Sequence, residues 1–127
     1  MSTPTLSVSL GLWQDRPPAE VVRTAQAADA LGYGEIWIGE MATFDAFALG
    51  AVVAERTAHA ALTIGPLAVA VRDPVMIAMG AASLTELTGR TVNVALGSSS
   101  PVVVQQWHGR RERRRHRRDQ QWLFKWR

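Results

Sequence analysis

Four short apolar runs, each followed by a stretch with helical spacing, set the strongest limit on how this chain can fold. Leu6, Val8, Leu10 and Leu12 alternate with Ser7, Ser9 and Gly11, a period-two strand. "QDRPPAEVV" follows, with prolines where a helix can begin, and Val22, Ala25, Ala28 and Leu31 repeat at helical spacing. "EIWIGE" is short and nearly all apolar, as a strand buried on both faces would be. Asp45 is placed to cap a helix running through "AFALGAVVAERTAHA". "LTIGPLAVAV" reads as the third strand, and Asp73–Pro74 opens the helix "PVMIAMGAASLTEL", which Gly89 can close in the left-handed conformation. "TVNVALG" is the fourth strand, and Ser100–Pro101 starts a fourth helix, "PVVVQQWHG".

The order is β-α repeated four times, the mark of a parallel α/β sheet with right-handed crossovers. A doubly wound sheet and a barrel both fit it. No GxGxxG or GxxxxGK[ST] follows any strand, so the usual nucleotide-binding forms lack support. A complete (β/α)₈ barrel normally takes about 250 residues, and this chain has 127. As a barrel it supplies one half.

Charge divides the chain in two. Residues 1–109 carry five basic and nine acidic residues, a net of −4; residues 110–127 carry nine basic against two acidic, a net of +7. The basic balance therefore belongs to the tail "RRERRRHRRDQQWLFKWR" and says nothing about partners of the body. Cysteine is absent, which removes disulfides and thiolate chemistry. His59, His108 and His116 have no metal-ligand spacing, so no metal site is expected. Residues 1–6 lack the basic and apolar regions of a secretory signal, and no uninterrupted apolar stretch is long enough to span a membrane. The expectation is a soluble, cytoplasmic protein.

Three segments, "LGYGEIWIGEMATFDAFAL", "LTIGPLAVAVRDPVMIAMGAASLTELTGR" and "VALGSSSPVVVQQWHGR", resemble the luciferase-like monooxygenase family in order and spacing. They are most similar to its members that use the deazaflavin coenzyme F-420. The likeness spans about residues 5–110. It implies the first half of a TIM barrel and hydride transfer between a deazaflavin, or alternatively FMN, and a small organic substrate.

In such a barrel the site lies at the C-terminal ends of the strands. Glu40 ends the second strand, where a carboxylate can accept a hydrogen bond from a cofactor ring or shuttle a proton; equally, it can pair with an arginine. Many family members place a histidine next, but this chain has Met41, which can pack on a flat ring or in the core. Trp13, after the first strand, is the other candidate catalytic or pocket residue. Gly39, Gly65, Pro66, Leu67, Ser98 and Ser99 are candidate cofactor-binding positions. Proline interrupts a ladder, and the family often has a cis peptide near here. Proline at 66 makes that geometry accessible at about 0.5–1 kcal/mol, against about 2.5–4 kcal/mol for another residue. Trp107 and His108 belong to a motif of the resembled family and are candidate pocket residues; their plain reading is a buried tryptophan and a helix-end histidine.

The resemblance stops near Arg110. The tail then reads as a solvated terminus, as a basic arm for nucleic acid, or as the product of an out-of-frame or truncated coding sequence. Its abrupt change of composition, where the family would continue a helix, favours the last and makes a nucleic-acid partner the weakest of the three. Four strands alone would leave two raw edges and an open barrel interior. The expectation is weak stability, self-association or a homodimer, and little catalysis.

Overall fold

The computed structural model describes residues 5–10, 16–40 and 43–110, and the backbone of 122–125. Four parallel strands alternate with helices: β1 (Ser7–Ser9), α1 (Pro18–Ala30), β2 (Glu35–Ile38), α2 (Ala46–Arg56), β3 (Ala61–Ala68), α3 (Pro74–Thr88) and β4 (Val92–Gly97). A π-helical segment, Val102–Trp107, and a short strand β5 (Trp122–Lys125) follow. The strands lie in the order β1-β2-β3-β4-β5. A doubly wound sheet reverses its strand order and carries helices on both faces. Here the order never reverses, so successive right-handed crossovers fall on one side, which is barrel geometry.

The helices begin and end where local chemistry dictates. Asp45 caps α2 by accepting from Phe47 N and Ala48 N at 3.0 and 2.9 Å. Asp73 accepts from Val75 N at 2.8 Å, with Pro74 as the first residue of α3. Gly89 closes α3 at φ 66°, the left-handed conformation that glycine adopts without a Cβ clash. The fourth helix, expected as an α-helix, is wound instead as the π-helical segment.

One face of the sheet is the core. Ile36 and Ile38 of β2, Leu62 and Ile64 of β3, and Val92 and Val94 of β4 are buried beneath Val21 and Ala25 of α1, Leu49 and Val53 of α2, and Ile77, Ala81 and Leu84 of α3. Gly50 lets α2 settle onto this layer: a Cβ there would stand 2.9 Å from Ile64 Cδ1 and 3.1 Å from Leu84 Cδ2.

The other face departs from the expectation that β2 is buried on both sides. Glu35 and Trp37 are only partly buried. Glu35 gathers the polar groups of this inner face. Its carboxylate accepts from Trp37 Nε1 at 2.8 Å, from Thr63 Oγ1 and from Asn93 Nδ2 at 3.2 Å. A strand that reads as continuous and apolar is thus period-two, with a carboxylate-centred layer on the side a closed barrel would enclose.

β5 pairs antiparallel with β4, Leu96 opposite Trp122 and Asn93 opposite Lys125. The outer edge of β4 is therefore covered, contrary to the bare edge expected of four strands alone. The rest of the tail lies outside the described residues.

At the N-terminal end of the sheet two side chains fasten backbone. Arg90 donates to Ala54 O at 3.2 Å, to Thr57 O at 2.7 Å and to Ala60 O, satisfying carbonyls at the end of α2. Asp29, from α1, accepts from Ala58 N, His59 N and Ala60 N at 2.8, 3.0 and 2.7 Å. Burial pushes the Asp29 carboxyl up, but these three N–H groups and the nearby His59 outweigh it and bring the pKa down from 3.8 to about 2. Between these values the unfolded chain binds more protons than the folded one, so stability rises with pH through that window. Denaturant midpoints measured from pH 2 to 5 should therefore fall as pH drops from about 4 to about 2. Asp29→Asn should flatten that slope; an unchanged slope would remove Asp29 as its source.

Candidate functional site

The C-terminal ends of β2, β3 and β4 meet around a bulge. Ile64 pairs with Val94 and Leu67 with Leu96, so Gly65 and Pro66 together stand opposite the single residue Ala95. The Gly65–Pro66 peptide is cis, and Gly65 has φ 125°. Only glycine suits position 65, because a Cβ would collide with Ala95 O and lie 2.8 Å from Leu67 N. Pro66 is exposed at this end, and Gly97 stands beside it: a Cβ on Gly97 would be 3.1 Å from Pro66 Cβ. Gly65, Pro66 and Gly97 thus form a glycine–proline shelf at the strand ends, with Pro66 exposed and Gly65 buried.

Among the other predicted residues, Leu67 is fully buried in the core, so its side chain is withheld from any ligand on the shelf. Ser98 is exposed, and Ser99 sits at φ 61°, rare outside glycine, just after β4. Ser100 Oγ accepts from Val103 N at 3.4 Å, the capping role expected of it. Trp107, half exposed, and His108 stand at the far end of the π-helical segment that leaves β4. Trp13 and Met41 lie outside the described residues.

Glu40 is committed to neighbours. Arg72 Nε donates to its Oε1 at 2.7 Å, Arg72 Nη2 to its Oε2, and Ala46 N to the same Oε2 at 3.2 Å. Arg72 Nη2 also donates to Asp45 Oδ2, and the guanidinium lies 5.3 Å from the centroid of the Phe47 ring. The Glu40 hydrogen bond outweighs burial and raises the Arg72 pKa further above its ordinary value. Burial works against ionised Asp45, but the Ala48 N–H and Arg72 prevail and lower its pKa. The pairing reading of Glu40 is the one the geometry displays. Arg72 escaped sequence reasoning; its one signal was position, directly before the Asp73–Pro74 cap and just past a strand end.

The arrangement sets Gly65, Pro66 and Gly97 between Ser98 and Ser99, after β4, and the Glu40–Arg72–Asp45 ion pairs, which form a wall on the β2 side. Among the described residues no cluster of His, Asp or Glu could hold a metal, and no helix is long and apolar enough to cross a membrane. Comparison with known proteins gives the family. The sequence profile of the luciferase-like monooxygenase family matches residues 3–123. A protein of Mycobacterium tuberculosis (strain ATCC 25618 / H37Rv), described provisionally as a coenzyme F420-dependent oxidoreductase, is 30% identical over 106 residues. Those residues are 84% of this chain and 30% of that relative. Among solved structures, the oxygenating constituent of 3,6-diketocamphane monooxygenase from Pseudomonas putida superposes with a TM-score of 0.68 at 17% identity. That protein is a type II Baeyer–Villiger monooxygenase in complex with FMN, and the match covers 83% of this chain and 32% of it. The likeness supports the barrel fold. This chain spans about a third of the length of both proteins.

The shelf is also testable as architecture. Gly65→Ala should lower stability by about 2 kcal/mol or more, since it forces both a positive φ and a backbone collision. A urea midpoint equal to the wild type would show that the bulge yields without cost.

Proposed function

Because this chain belongs to the luciferase-like monooxygenase family, we propose that the shelf at the ends of β2, β3 and β4 receives the planar ring of a deazaflavin coenzyme F-420, with FMN as the alternative. Gly65, Pro66 and Gly97 lie under the ring, Gly39 borders it, and Ser98 and Ser99 stand at its edge; Met41 stays a candidate from the sequence alone. Leu67 contributes its backbone. Trp13, Trp107 and His108 remain candidates for the substrate side. The bound ring would supply hydride transfer to or from a small organic substrate. The observation that carries this reading is the Gly65–Pro66 bulge beside Gly97 at the strand ends.

The chain's own residues give binding and orientation more readily than turnover. The contacts that hold a cofactor phosphate in such barrels often come from the loops after strands seven and eight, and the described residues reach the fourth parallel strand. We therefore propose ring binding as the part of this chemistry that the described residues carry. A homodimer or other self-association is part of the same proposal: α3 turns Val75, Met76, Met79 and Leu87 to solvent, an apolar surface that a partner would cover.

The test is titration of the purified chain with F-420 and with FMN, each followed by its own fluorescence. Saturable quenching by one ring, lost in Gly97→Val, is the expected result. Absence of binding by both, or unchanged binding in folded Gly97→Val, would remove the shelf as the site.

A further inference from the structure

We infer that Arg72 is a positioning residue of this site. It clamps the β2–α2 connection to the β3–α3 connection, so that Glu40 acts as an anchor for the wall beside the shelf and not as a proton carrier. The purpose of the wall rests on the ring-binding reading; the clamp itself does not.

Three observations converge on Arg72. Its side chain is only 19% exposed, its guanidinium bridges two carboxylates, and one face covers Phe47. Isolated surface ion pairs contribute little, whereas a part-buried guanidinium with a bidentate partner in a network contributes more. Both carboxylates also serve the first turn of α2. Glu40 accepts from Ala46 N, and Asp45 accepts from Phe47 N and Ala48 N. Finally, Arg72 is itself tied to β3, donating its backbone N–H to Ala68 O at 2.9 Å, and it precedes the cap of α3. One side chain thereby joins the ends of β2 and β3 to the starts of α2 and α3.

The consequence for chemistry is direct. Both oxygens of Glu40 already accept hydrogen bonds, and two of those donors are on a cation. Lysine cannot replace Arg72, because a single ammonium lacks the planar fork that spans a carboxylate.

The experiment uses the full chain with Arg72→Gln, Arg72→Lys, Glu40→Gln and, as a control, Arg23→Gln on the exposed side of α1. Two readouts are taken below the thermal midpoint: the dissociation constants for F-420 and FMN, and amide exchange over residues 39–46 and 69–73. Arg72→Gln should weaken ring binding tenfold or more and raise exchange in both segments together. Arg72→Lys should fail to rescue either effect, and Arg23→Gln should change neither. Wild-type binding by Arg72→Gln, or faster exchange confined to 69–73, would overturn the inference. Should Arg72→Gln not fold, Arg72→Lys decides by the same criteria. If the wild-type chain binds neither ring, the proposed function falls. The clamp then stands or falls on whether exchange rises jointly in the two segments.

Discussion

Every strand here must serve two environments, because three helices pack on one face of the sheet. That constraint sorts the side chains by parity. Ile36, Ile38, Leu62, Ile64, Val92 and Val94 take the helix side and build the core. Glu35, Trp37, Thr63 and Asn93 take the inner side and satisfy one another around a single carboxylate. A buried polar group without a partner costs about 1–3 kcal/mol, so a polar layer on this face holds only as a network. It is nearly complete: Asn93 Oδ1 is buried without a partner.

The two ends of the sheet then divide the work. At the N-terminal end, Asp29 and Arg90 spend their charges on backbone groups of the α2–β3 connection, holding turns that have no ladder partners. These contacts hold the α2–β3 connection against α1. At the C-terminal end, Glu40 and Asp45 pair with Arg72 while also accepting from the first turn of α2. Positive φ occurs at both ends: Gly32 and Gly89 follow α1 and α3, while Gly65 and Ser99 lie at the strand ends.

How far the sequence revealed this follows from the range of each interaction. Helix starts were legible because a cap is local: Asp45 and Asp73 bond to N–H groups two or three residues away. Gly89 was legible for the same reason. The cis geometry at Pro66 was expected from residue type together with family resemblance. The inner polar layer was not legible, since Glu35, Thr63 and Asn93 are joined only by strand register. Arg72 was missed likewise, lying 32 residues from Glu40 in the chain. The winding of Val102–Trp107 as a π-helix was missed although it is local. Three successive valines lose side-chain freedom in an α-helix, a signal that nonetheless does not specify a wider turn. The strand Trp122–Lys125 lay in a segment whose charge dominated its reading, yet "WLFK" is apolar enough to pair with β4.

The same distinction bears on what a carboxylate at a strand end means. Glu40 drew notice because position and residue type fit proton transfer. Those two facts do not separate a catalytic carboxylate from a structural one; the atoms it bonds do. A group that moves a proton needs one oxygen open to the reacting atom and a ready route between its two protonation states. Glu40 has both oxygens engaged, by Arg72 and by the first N–H of α2. In the inferred clamp, Glu40 holds the β2–α2 connection through Arg72, while Gly39 and the Gly65–Pro66 shelf are the positions proposed to meet a ligand. Charge at these strand ends is committed to shaping the connections around them.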